Sequence, residues 1–107
     1  MNEFEDRERA FENKFEHDEE LQFKINARMA HLFGLWVADQ LGLKGADAEK
    51  YAEEAVSVEV AGLDRKALIA KTEKDLAAKN ISLSRHRLER EMEGFYAAAR
   101  EKVAGKG

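Results

Sequence analysis

The sequence contains no cysteine and no proline. Without cysteine there can be no disulfide, thiolate metal site or cysteine nucleophile, a composition that suits a reducing compartment. Without proline, nothing in the chain forces a helix to break. No apolar run approaches the roughly 20 residues needed to span a bilayer, and the acidic start "MNEFEDRERAF" lacks the basic character of a secretory signal. These absences lead us to expect a non-exported, cytoplasmic protein that does not insert into the membrane. Aromatic residues are scarce, at 8% of the chain, so where they fall is informative.

The 107 residues fit one domain with a modest core, and 44% hydrophobic with 37% charged residues is a globular, charge-rich balance. The formal net charge of −4 is unevenly spread. Residues 1–20 hold nine acids (Glu3, Glu5, Asp6, Glu8, Glu12, Glu16, Asp18, Glu19, Glu20) against Arg7, Arg9 and Lys14, a net of −6; the remainder has 15 bases and 13 acids, a net of +2. Phosphate would repel such an N-terminus, which argues against nucleic acid or an anionic membrane as its target and for a basic or mixed-charge protein surface.

Four helical segments can be read from apolar spacing. The strongest carries Leu21, Ile25, Met29, Leu32, Phe33 and Trp36 and runs to Leu41, with Gly42 as its stop. A second, over about 46–59, places Ala48, Tyr51, Ala52, Ala55 and Val56 on one side before Gly62. Its small residues suit close helix contact, although "VSVEV" (56–60) alternates as a strand would. The third begins after Asp64 as N-cap, aligns Leu68, Ile69, Thr72 and Leu76, and stops near Asn80. The last, with Ser82 as the expected cap, repeats Leu88, Met92, Phe95, Tyr96, Ala99 and Val103. Short connections favour antiparallel neighbours, so the expected fold is all-α, an up-and-down four-helix bundle. The expected division is an N-terminal segment over 1–19, the bundle over 20–104 and a tail over 105–107.

Phe4, Phe11 and Phe15 fall within roughly 40° of one another on a helical wheel, with charges filling nearly every position between. Asn2 as cap and the Glu3–Arg7 and Glu5–Arg9 spacings would support a helix there. A lone helix of about 15 residues is nonetheless marginal in water, so a flexible or marginally helical segment is expected. Three homes for the stripe stay open on these grounds: the chain's own bundle, a second copy, or another protein.

Candidate chemistry is sparse. His17 with Glu16, Asp18 and Glu20 offers carboxylates around an imidazole, but a di-iron bundle needs paired carboxylate-x-x-His helices and no second one is present, so no metal or cofactor is expected. His17 as a pH-responsive group competes with His17 as a solvated side chain. Ser57, Ser82 and Ser84 lack a glycine elbow, and "GLKG" (42–45) reads as a helix connection, not a phosphate loop. The chain is therefore not expected to be an enzyme. Trp36, Met92, Phe95 and Tyr96 read as core, and "SRHRLER" (84–90), interleaved with Glu89, Glu91 and Glu93, as a salt-bridged outer face or a docking surface.

The stretch "RERAFENKFEHDEELQFK" (7–24), followed by "GLWVADQLG" (34–42), resembles the zeta subunit family, the ATPase inhibitor of alphaproteobacterial F-type ATP synthases, with weaker likeness at "EKDL" (73–76) and "NISLSRHRLEREME" (80–93). The resemblance implies a four-helix bundle whose N-terminal segment inserts into a catalytic alpha/beta interface of the synthase head beside the rotating gamma stalk, blocking rotation in the hydrolytic direction. The matched positions are Asp6, Arg7, Glu8, Arg9, Ala10, Phe11, Glu12, Lys14, Phe15, His17 and Asp18; Phe4 joins them through the stripe. Glu16 replaces a small residue of the family pattern, and "NARMAH" (26–31) a more basic stretch. The alternative function is a general helical interaction module or scaffold without catalytic activity.

Overall fold

A computed structural model describes residues 19–62 and 64–105, which form α1 (Glu19–Gln40), α2 (Gly45–Gly62), α3 (Arg65–Ala78) and α4 (Arg85–Gly105). Contacts between neighbours run in opposite directions along each pair. Tyr51 meets Asp75 across α2 and α3, Glu73 meets Arg85 and Arg65 meets Tyr96 across α3 and α4, and Gln22 meets Tyr96 while Trp36 meets Arg87 across α1 and α4. The bundle is therefore up-and-down, as the short connections require.

α1 is the spine. Ile25, Met29, Phe33 and Val37 recur every fourth residue and are fully buried, with Ala30, Gly34 and Ala38 on the adjoining row. Glu19 and Glu20 place negative charge where the helix dipole is positive. The helix stops at Gly42, whose φ of 81° is left-handed; its N–H bonds to the Asp39 carbonyl at 3.1 Å and the Leu43 N–H reaches the Ala38 carbonyl at 2.9 Å. The same pair of bonds ends α3: Asn80, at φ 59°, donates to Ala77, and Ile81 donates to Leu76.

The strand-like "VSVEV" stretch is helical throughout. Tyr51, Ala52, Ala55 and Glu59 form the buried row of α2, and this 3.6-residue period, secured by packing on α1, overrides the β preference of the three valines. Contact between the two helices is close. A Cβ on Gly34 would sit 2.8 Å from the Ala52 Cα and 2.9 Å from the Ala55 Cβ, so glycine on α1 and alanine on α2 set the interhelical spacing.

Asp64 caps α3 as expected, in extended conformation with Oδ1 accepting from the Lys66 N–H at 2.9 Å, and Leu68, Ile69, Thr72 and Leu76 are all buried. The cap of α4 differs from expectation: it is Ser84, whose Oγ accepts from the Arg87 N–H at 3.0 Å, and not Ser82. Half-buried Ile81 and Leu83 pack against the core and keep residues 81–84 out of the helix, which puts Ser82 too far upstream to reach the first free amides. Trp36, expected in the core, is at its rim. It is half-buried, stacked on Phe33 at 6.1 Å between centroids, with the Arg87 guanidinium 5.6 Å from its ring. Leu88, Met92 and Ala99 are buried, whereas Phe95, Tyr96 and Val103 flank the core.

Candidate functional site

Every residue expected to bind a partner, from Phe4 and Asp6 to His17 and Asp18, lies outside the described residues, so the structure neither gathers nor separates them. What it defines is where that segment joins the bundle. Within the first turn of α1, Gln22 donates from Nε2 to the Tyr96 hydroxyl of α4 at 3.2 Å, and the Arg65 guanidinium of α3 lies 4.1 Å from the Tyr96 ring centroid. One aromatic side chain thus ties the first turns of α1 to α4 and to the start of α3.

Beside this tie, Glu19, Gln22, Phe23 and Asn26 line a shallow groove on α1. Phe23 is 46% exposed, unusual for a large apolar side chain in so small a bundle, and the Lys24–Glu20 ion pair at 3.4 Å flanks it. The helical wheel held no signal for this: Phe23 falls within about 20° of buried Ala30 and Gly34, a position that reads as inward-facing.

A second concavity, of about 380 Å³, opens between α3 and α4 over Ile69 and Met92. Arg65, Lys66, Arg85, His86 and Arg90 surround it, with Glu89 and Glu93 as the acids on its wall. The "SRHRLER" run therefore divides its work. Arg85 pairs with Glu73 at 2.7 Å and Arg87 with Glu91 at 3.2 Å, as a salt-bridged face would, while Arg90 and Lys66 have no ion pair among the described residues.

Two buried polar features lie within the bundle. The Tyr51 hydroxyl donates to Asp75 Oδ2 at 2.7 Å, and Lys71 Nζ donates to the same oxygen at 2.8 Å while lying 4.7 Å from the Tyr51 ring centroid. Burial, and then the Asp75 carboxylate, push the Tyr51 hydroxyl far above its usual range. Burial alone would raise Asp75, but the hydrogen bonds from Lys71 and Tyr51 outweigh it and hold the carboxyl below its usual value. Glu59 has no such support: it is 1% exposed, and its Oε1 has no hydrogen-bond partner. Burial raises its pKa, with Asp64 adding to the effect and Arg65 opposing it. At the other end of α2, exposed Glu49 approaches His31 of α1, Oε1 to Nε2, at 2.6 Å.

Among the described residues no group of three His, Asp or Glu side chains is placed to hold a metal ion, and no helix is long and apolar enough to cross a membrane. The described residues offer concave surfaces and charge. A family model described as ATPase inhibitor subunit zeta matches residues 1–102. No curated protein and no solved structure matches the chain.

Proposed function

The chain belongs to the ATPase inhibitor subunit zeta family, and from that premise we propose that residues 1–19 are its inhibitory arm and the helices from residue 20 onward a rigid stop. Membership makes the protein an inhibitor of an ATPase and a regulatory partner of ATP synthase, not an enzyme. The finer mechanism is our reading. The N-terminal segment enters a catalytic alpha/beta interface of the synthase head near the gamma stalk, folds there as a helix, and blocks rotation during ATP hydrolysis.

The observation that carries this reading is a family match that includes the whole N-terminal segment, the one stretch where three phenylalanines share a stripe amid eight acids. Phe11 and Phe15 are the proposed anchors, each contributing upwards of about 2 kcal/mol as buried aromatic hot spots do. Arg7 and Arg9, with Asp6, Glu8, Glu12, Lys14, His17 and Asp18 around them, set register, and Ala10 keeps the contact face narrow. Phe4 extends the stripe toward the tip. The Gln22–Tyr96–Arg65 tie supports the stop role, because it fixes the root of the arm to two other helices.

Deleting residues 1–18 tests the mechanism. The expected outcome is a bundle whose helical circular dichroism and cooperative melting persist while inhibition of purified synthase is lost. Inhibition that survives the deletion would refute the N-terminal mechanism. Phe11→Ala with Phe15→Ala sharpens it, with recovery of the catalytic head in a pull-down expected to fall well below that of the unaltered chain.

A further inference from the structure

The acidic arm and the basic α3–α4 cleft belong to one chain. Residues 1–18 carry seven acids against three bases, a net of −4. At about 100° per residue, Glu5, Glu8, Glu12, Glu16 and Glu19 fall in one sector of roughly 80°, an acidic ridge beside the phenylalanine stripe. Across the bundle surface, the cleft sets Arg65, Lys66, Arg85 and Arg90 against Glu89 and Glu93, with His86 among them. Arg85 is engaged by Glu73 and Arg65 by the Tyr96 ring, which leaves Lys66 and Arg90 as the lysine and arginine of the cleft with neither an ion pair nor a ring contact among the described residues.

Position favours an encounter between the two. Arg65, on the cleft wall, is one tyrosine ring away from Gln22, and Gln22 is less than a helical turn from Glu19, where the arm begins. Eighteen residues reach about 27 Å even when helical, whereas Tyr96 to Arg85 along α4 is only about 17 Å. A tether of this length holds the arm near the cleft at an effective concentration in the millimolar range, so weak contacts suffice.

We propose that the α3–α4 cleft is a resting dock for the chain's own N-terminal arm, with the ridge of Glu5, Glu8, Glu12 and Glu16 facing Lys66 and Arg90. The dock competes with the synthase: the arm must leave the cleft before it engages the catalytic head. That competition rests on the inhibitory reading above, whereas the dock itself does not. Because the pairs are solvent-exposed, attraction between them is screened by salt, and release needs no large conformational change.

Because the chain lacks cysteine, a nitroxide on Asn13→Cys in the full-length protein reports one position. In low salt it is expected to broaden the amide signals of Lys66, Ile69, Glu89 and Arg90. The broadening should vanish in about 1 M sodium chloride, where the screening length is ~3 Å, and in a Lys66→Glu/Arg90→Glu variant whose circular dichroism is unchanged. With unlabelled protein at low salt, the same charge reversal should speed the onset of synthase inhibition several-fold. Broadening that spares the cleft, that centres on the Phe23 groove, or that survives both salt and charge reversal would overturn the dock. If the cleft amides broaden as expected but the chain does not inhibit synthase, the dock stands and the inhibitory mechanism falls. Normal inhibition with no cleft broadening removes the dock alone.

Discussion

The two faces of α2 are joined to their neighbours by different physics. Toward α1 the seam is steric: Gly34 admits Ala52 and Ala55 at separations no side chain would allow. Toward α3 it is polar: Tyr51, Lys71 and Asp75 form a hydrogen-bonded staple, and Glu59, near the helix end, is buried with an unpartnered oxygen. A steric seam is all-or-none and insensitive to pH, because close-packed atoms have no titrating state. A polar seam is graded, and its strength follows the protonation of its members. The short helix α3 is therefore the part of the bundle expected to loosen first.

The strongest test breaks the steric seam. Gly34→Val should destabilise the fold by about 3 kcal/mol in urea unfolding, since neither the Ala52 backbone nor the Ala55 methyl can give way cheaply. A loss under about 1 kcal/mol would mean that α2 slides freely on α1.

Next comes the polar staple. Asp75→Ala leaves the Tyr51 hydroxyl and the Lys71 ammonium without their shared acceptor and should cost about 2 kcal/mol at neutral pH. Asp75 has a depressed folded pKa, so its contribution is present above the unfolded value of 3.8 and is lost as pH falls through the lower folded value. The unaltered chain and Asp75→Ala should accordingly converge in acid.

Glu59 sharpens the comparison in the opposite direction. Its folded pKa is raised above 4.5, so below that pH both folded and unfolded forms hold the proton and nothing is lost. As pH rises from there toward the folded value, only the unfolded chain releases its proton, and stability declines. Glu59→Gln should match the unaltered chain in acid and exceed it at neutral pH by on the order of 1 kcal/mol. An equal pH profile for the two chains would show that Glu59 finds a partner after all.

The smallest effect is at the α4 cap. Ser84→Ala should cost about 0.5 kcal/mol, at the low end for an exposed cap, while Ser82→Ala should leave the melting temperature unchanged.

How much of this could be read in advance depended on how local the determining physics was. Asp64, Gly42 and Asn80 were legible because a cap or a left-handed stop is decided within five residues of itself. The buried set of α3 was legible from periodicity alone, whereas in α1 periodicity found Ile25, Met29 and Phe33, missed Ala30, Val37 and Ala38, and included Leu21, Leu32 and Trp36, which are half-buried. Ser84 was missed because the start of α4 depends on where Ile81 and Leu83 find the core, and the role of Gly34 because only the approach of α2 makes it necessary. The stretch from Phe4 to Asp18 lies within the family match and outside the described residues, so the role proposed for it rests on aromatic and acidic spacing in the linear chain.

The sequence by itself determined four helices, their order, most of their ends and the family to which the chain belongs, because helix periodicity, caps and motifs act over a few neighbouring residues. Only the tertiary structure decided that "VSVEV" is helical, that Trp36 sits at the rim, that Tyr51 and Asp75 share a proton donor network with Lys71, and that Glu59 is buried without a full set of partners. Each of those outcomes depends on which side chains from distant segments meet, and the free energy of that meeting, made of excluded water, steric fit and lost solvation, is not a property of any single stretch of chain.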